Sequence, residues 1–182
     1  RYGADGNCLV IRAGGVVVHM ERWGGLSTQN TARKAAQIVQ RYGIRPRPAS
    51  PAMPGRWGRI VVDVVGLGAG TAEKLKEMGF TVVEHNAGAF GNGRFLNTRA
   101  ESYWRLRDLL GPDGGHIAFP RDGRLIEELL ALRWREGGGG KIQIGEKSEI
   151  KARIGRSPDT ADALALAFHE GPGRAKAFAW RV

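Results

Sequence analysis

Asp159 and Asp162 stand three residues apart in the segment RSPDTADALALAF, followed by an uncharged run of alanine, leucine and phenylalanine. That run has high helix propensity, Pro158 fits a first helical position and Ser157 can cap the free amides, so the segment reads as a helix opening at Ser157. On a helical wheel Ala161, Leu164, Ala165 and Phe168 make one face, while Asp159 and Asp162 share another with Ala163 and Leu166. An acid in the first turn complements the helix dipole, which accounts for Asp159. Asp162 lies further in, on a helix apolar nearly all round, where an unpaired carboxylate is costly, so it needs a cation. An arginine would serve. So would a divalent ion, because carboxylates at i and i+3 lie about 5–6 Å apart on one face, a separation suited to gripping metals. In that case the two acids repel each other when no metal is bound, and replacing either by asparagine is expected to raise the melting temperature.

Other acids qualify by their setting. RIVVDVVGLGAG places Asp63 inside a valine run that reads as a strand covered on both faces, just ahead of three alternating glycines. Sites are commonly built at the C-terminal ends of such strands, which makes Asp63 a candidate; bonding to amides of the following turn is the alternative. Gly66, Gly68 and Gly70 miss the spacing of a dinucleotide fingerprint, and no P-loop lysine lies near. Asp5, in YGADGN, has the setting of an ordinary turn aspartate. Glu84 and His85 close a further strand and could approach the site. His19, His116 and His169 show no metal-ligand spacing with one another or with Cys8, which argues against zinc, and no Ser-His-Asp or Cys-His pattern emerges. An all-oxygen site for hard divalent cations remains.

Holding these acids are elements in the order β-β-α-β-α-β-α. CLVIRAGGVVVHMERW predicts a hairpin turning at Gly14-Gly15, and STQNTARKAAQIVQRYG a helix capped near Ser27 and stopped by Gly43. The proline-rich IRPRPASPAMPGRWG crosses to strand RIVVDVV, a glycine turn, a short helix ending at Gly79, strand FTVVEH and helix TRAESYWRLRDLLG. The last of these has Thr98 as cap and Glu101 completing a capping box. Helix GRLIEELLALRW, a GGGG break and a short strand KIQIGEK precede the aspartate helix. A hairpin followed by βαβ units implies an α/β domain with a mixed sheet and helices packed against it.

The chain has 182 residues, enough for one domain, and its opening on Arg1 rather than Met suggests an excised piece. No apolar run approaches the roughly 18 residues of a membrane span. A single Cys8 and no secretory pattern point to an intracellular setting. The net charge of +10, mostly from arginine, points to a polyanionic partner, nucleic acid before others.

VDVVGLGAG, NTRAESYWRLRDLL and GRSPDTADALALA, in this order and spacing, resemble the nuclease domain of the large terminase subunit of tailed bacteriophages over most of the chain. The last motif also resembles the aspartate helix of RuvC-type Holliday-junction resolvases. The resemblance implies an RNase H-like mixed β-sheet with helices on both faces and a single nuclease domain over residues 1–182. It implies an endonuclease that cuts double-stranded DNA during genome packaging by two-metal-ion hydrolysis with Mg²⁺ or Mn²⁺, in the host cell cytoplasm. Asp63, Asp159 and Asp162 become the catalytic, metal-binding acids, and Asp5 matches a secondary acid of the same region. The family's first aspartate would precede Arg1, as would its separate N-terminal ATPase domain, which this chain, having no Walker motif, lacks. The small terminase subunit and the portal are the implied protein partners. Basic Lys147, Lys151, Arg153 and Arg156 flank the site and would hold the phosphate backbone, a solvated basic hairpin being the plainer reading of them. A junction resolvase, an actin-like nucleotide-binding domain and a non-catalytic DNA-binding module are the rival readings. The actin-like one needs a second similar domain, for which the chain has no room.

Overall fold

The computed structural model describes residues 6–47, 58–113 and 117–169. Strands β1 (Asn7–Ala13) and β2 (Val16–Trp23) form the expected antiparallel hairpin, turning through Gly14 at φ 60°. Helix α1 (Thr28–Arg41) opens on Ser27, whose hydroxyl accepts from the Asn30 amide at 3.2 Å. Then β3 (Arg59–Asp63), α2 (Gly68–Glu77) and β4 (Thr81–His85) make a βαβ unit with its strands parallel and Asp63 opposite His85. Leu9 and Ile11 of β1 and Ile60 and Val62 of β3 meet Ala32, Ala36 and Val39 of α1 in one core cluster, closed by Leu75 and Phe80.

The second half is helical. It comprises α3 (Thr98–Leu110), α4 (Gly123–Ala131), the short hairpin β5 (Trp134–Glu136) and β6 (Ile142–Ile144), α5 (Lys147–Ile154) and α6 (Asp159–Ala167). The predicted apolar face of α6 does what its spacing requires. Ala161, Leu164, Ala165 and Phe168 are buried in a second cluster with Val17, Tyr103, Leu106 and Leu125, which seats α6 against β1, β3, α3 and α4. No helix among the described residues is long and apolar enough to cross a membrane.

The architecture is mixed α/β, as expected, but its strands differ from a single continuous sheet. The described strands pair as three two-stranded ladders, β1–β2, β3–β4 and β5–β6, and shared packing on α1 rather than a hydrogen-bond ladder relates β1 to β3. Helix α4 stops at Ala131 rather than running to Trp134: Leu132 turns extended, Arg133 donates to the Leu130 and Leu132 carbonyls, and Trp134 pairs with Ile144. Residues 147–154 form α5, not a basic hairpin, with Glu149 in its first turn, Lys151 and Arg153 in its last, and Gly155 left-handed at φ 75° beyond. The cap of α3 is Asn97, whose side chain accepts from Ala100, while Thr98 donates to the Asn86 carbonyl and Glu101 accepts from Asn92. Most of the proline-rich crossing lies outside the described residues.

Candidate functional site

The C-terminal end of β3 is shaped by its glycines. Gly66 is left-handed at φ 67°, and a Cβ on Gly68 would lie 1.7 Å from the Asp63 carbonyl oxygen, so α2 begins closer to the strand end than any side chain permits. Asp63 Oδ1 accepts from the Val65 amide at 3.2 Å, the turn-forming bond expected of an aspartate here, and the half-buried carboxylate also lines a pocket. The other walls are His85 from β4, Ala87, Arg99, Ser102 and Tyr103 from α3 and its approach, Lys147 from α5 and Asp162 from α6.

Asp162 has the cations that its place on an apolar helix demands. Its Oδ1 accepts from Tyr103 Oη at 2.6 Å and faces Arg99 Nε at 3.4 Å, and Lys147 Nζ lies 2.8 Å from Oδ2. Arg99 is fixed at its far end by donating to the Gly145 carbonyl at 2.8 Å. Burial alone would lower the Lys147 pKa, but the Asp162 carboxylate outweighs it and holds the ammonium above its ordinary value. Burial first, and the Asp162 charge second, push Tyr103 well up, so it stays a neutral donor. Behind this cluster, Ser102 Oγ lies 3.1 Å from both His85 Nε2 and His169 Nδ1, and the two rings meet edge to face at 4.6 Å. Burial lowers the pKa of both imidazoles, and His85 Nδ1 is buried with no hydrogen-bond partner among the described residues.

Asp159 starts the same helix but is not among the pocket's lining residues. Its Oδ2 lies 3.3 Å from where a Cβ on Gly6 would stand, beside the start of β1, and its charge reaches Cys8, whose thiol is pushed up to about 11 chiefly by burial. Asp5 and His116 lie outside the described residues. His19 pairs with Glu21 instead, and exposed Glu84 pairs with Lys76. Among the described residues no three His, Cys, Asp or Glu side chains are grouped closely enough to hold a metal ion. What the pocket offers is two carboxylates from two elements, one of them already facing an ammonium.

The four basic residues singled out in the sequence divide. Lys147 serves Asp162; Arg153 donates to the Ala131 carbonyl at 2.9 Å; Arg156 pairs with Glu127 and with Glu128, the latter at 3.5 Å; Lys151 is exposed.

Glu128, missed in the sequence, is a fully buried carboxylate on α4. Its Oε2 accepts from the Thr160 and Ala161 amides at 2.8 and 2.9 Å, doing for α6 the capping expected of Ser157, while Pro158 occupies the N-cap. Arg124 at 3.0 Å and Arg156 neutralise Glu128, and Arg22 donates to Thr160 Oγ1 at 2.8 Å. The signal was present: Leu125, Glu128 and Ala131 share the buried face of α4, so an acid sits on an apolar stripe as Asp162 does. Glu128→Gln would turn an amide donor either toward the two α6 amides or toward Arg124, and would strip Arg124 of its counter-charge, while Arg156 keeps Glu127. It is expected to cost on the order of 2 kcal/mol in urea unfolding, and a change below about 0.5 kcal/mol would show that something else caps α6.

No family model and no curated protein matches the sequence. Solved structures do match. The nuclease domain of the large terminase subunit of bacterial virus Sf6 superposes with a TM-score of 0.74 at 20% identity, over 93% of this chain and 84% of that one. A mutant of the same domain with manganese gives 0.71 at 18% identity, over 94% and 91%. The large terminase nuclease of thermophilic phage G20c with bound magnesium gives 0.58 at 17% identity, over 91% and 82%. At such identities the likeness is one of fold: the chain shares the fold of large-terminase nuclease domains.

Proposed function

We propose that the chain is the RNase H-like nuclease domain of a phage large terminase subunit and hydrolyses double-stranded DNA with the help of divalent metal. The observation that carries this reading is the convergence of Asp63, from the end of a strand, and Asp162, from a helix distant in sequence, on one pocket. Hard carboxylate oxygens suit Mg²⁺ or Mn²⁺, the Lys147 ammonium marks the place beside Asp162 as one for a cation, and His85 leaves a buried nitrogen without a partner among the described residues. Asp63 and Asp162 would hold the metal, with Asp159, which lies beside the start of β1, and Asp5 as further ligands. Two bound ions would supply an activated water and charge stabilisation for the leaving oxygen.

The chain's own residues do the rest. Tyr103 and Arg99 fix the Asp162 rotamer, so the ligand is oriented before any ion arrives. Lys147 can leave Asp162 for a backbone phosphate, exposed Lys151 and Arg153 extend the basic surface along α5, and Arg156 would join them only by releasing Glu127. Contacts of this kind do not read bases, so cleavage is expected to be indifferent to sequence. The same reading places the domain in the host cytoplasm beside an ATPase domain, a small terminase subunit and a portal.

The test is cleavage by the chain of a linear random duplex and of a four-way junction, with Mn²⁺ and with chelator, together with duplex affinity measured across salt concentrations. The expected result is Mn²⁺-dependent cutting of the linear duplex and a steep fall in affinity with salt, driven by counterion release at a protein of net charge +10. Cutting confined to the junction would make the chain a resolvase. A flat salt plot without cleavage would remove the nuclease reading.

A further inference from the structure

The segment 86–97 leaves the pocket wall at His85, lines it at Ala87 and returns to it at Arg99, so its two ends lie at the rim of the site. Its backbone is tied down. Thr98 donates to the Ala89 carbonyl at 3.0 Å and Arg99 to Ala87 at 3.2 Å, Phe90 bridges to Asn97, and Leu96 and Arg94 exchange hydrogen bonds with Ile142 of β6, both at 2.9 Å. Gly91 makes the close crossing possible, because a Cβ there would lie 2.8 Å from both the Asn97 carbonyl oxygen and Phe95 Cβ. On this ordered segment Phe90 is 92% exposed, the most solvent-exposed large apolar side chain among the described residues. An apolar ring held into water by a structured segment has a use outside the fold.

Arg94, four residues on, indicates which use. Its guanidinium lies 5.6 Å from the Phe95 ring centroid and 5.0 Å from that of Trp104, and Arg107 covers Trp104 at 4.4 Å. Arg94 is exposed and its guanidinium lies over two rings, which limits its freedom; the side chain makes no ion pair or hydrogen bond among the described residues, so its N–H donors are open to a ligand. Segment 86–97 contains no acid, and the nearest carboxylate in its hydrogen bonding, Glu101, is engaged by the Asn92 amide. A guanidinium and an exposed ring carried on one tied-down segment suit a phosphate and a base of one strand, and the positive charge is complementary to nucleic acid.

We propose that segment 86–97 is a nucleic-acid contact on the rim of the pocket, where Arg94 takes a backbone phosphate and Phe90 stacks on a base unstacked beside it. The proposal rests on the nuclease reading and adds to it a place where the duplex is opened locally. Neither residue touches the carboxylates, so both can be replaced without touching the metal ligands.

The test is binding, without added metal, of a single-stranded oligonucleotide carrying 2-aminopurine and of a blunt duplex, by wild type, Phe90→Ala, Phe90→Trp and Arg94→Ala. Phe90→Ala is expected to lose about tenfold in affinity for the single strand and to abolish the change in 2-aminopurine emission, with Phe90→Trp restoring both. Arg94→Ala is expected to weaken both ligands alike and to reduce the slope of log affinity against log salt by about one. Melting temperatures near wild type would show that the losses are local, as the exposure of both side chains predicts. If wild type binds and cuts DNA while the variants bind with unchanged affinity and slope, the segment has another partner, such as a protein, and this proposal falls while the nuclease reading stands. If wild type binds neither ligand, both fall.

Discussion

Asp63→Asn is expected to reduce metal-dependent DNA cleavage by about a thousandfold or more while leaving the melting temperature close to that of wild type. The size follows from the several kcal/mol of transition-state stabilisation that pass through a bound ion and its ligands, at about 1.4 kcal/mol per tenfold in rate. The unchanged stability follows from local geometry. Asp63 Oδ1 accepts from the Val65 amide, and the asparagine carbonyl oxygen can accept from the same group, so the turn into Gly66 and α2 survives. Asparagine thus separates the two readings of this residue, which alanine would not, because alanine removes the ligand and the turn bond together. Burial lowers the pKa of His85, the partner of Asp63 across the ladder, and loss of the nearby charge removes an influence that raised it, so the change moves His85 further in the same direction. Cleavage rates at saturating Mn²⁺, with melting curves alongside, decide the matter. An Asp63→Asn protein that cuts at the wild-type rate would make Asp63 a turn residue alone.

The two acids of the pocket were legible because each violates its local pattern, one in a valine strand and one on an apolar helix, and a violated pattern has a physical cause. What answered them was less legible. Arg99 and Tyr103 lie on a helix of mixed polarity, and nothing in NTRAESYW says which side faces α6. Glu128 broke the same rule as Asp162, yet it sits beside Glu127 in a helix with a solvent side, so the sequence alone does not say which glutamate turns inward. Strand β5 is exposed at every residue, so it has no buried-exposed alternation to read. Helix α5 shows a single fully buried residue, Ile150, too little for a helical period to emerge. The hairpin, α1 and the βαβ unit were legible since local turn chemistry and caps specify them, whereas the relation of β1 to β3 depends on contacts made only after α1 docks.

Asp162→Asn is expected to lower the melting temperature of the metal-free protein, the opposite of what the spacing of the two aspartates implies by itself. Spacing alone puts two like charges on one helix face, so that losing either relieves repulsion. The surroundings reverse the sign. Asp159 turns toward Gly6 and Cys8, while Asp162 faces Tyr103, Arg99 and Lys147, so the carboxylate's strongest interactions are attractive. Asparagine can still accept from Tyr103, but it leaves the Arg99 guanidinium, whose side chain is only 12% exposed, without its counter-charge. Removing one partner of a buried pair costs on the order of 3 kcal/mol, and for a chain of this length that lowers the melting temperature by about 6–12 °C. Lys147, with 47% of its side chain exposed, can turn to solvent and adds little to the loss. Asp159→Asn, by contrast, leaves Arg99 and Lys147 with their partner Asp162 and serves as the comparison on the same helix. Mn²⁺ then separates ligand from structural acid. Wild type should gain stability with millimolar Mn²⁺, Asp162→Asn should gain none, and Lys147→Met should gain more than wild type, because the ion no longer displaces an ammonium from Asp162. Thermal unfolding of the four proteins with and without Mn²⁺ provides the comparison. A rise in melting temperature for metal-free Asp162→Asn would show that repulsion governs this helix after all, and equal Mn²⁺ stabilisation of wild type and Asp162→Asn would show that Asp162 serves only to anchor Arg99 and Lys147.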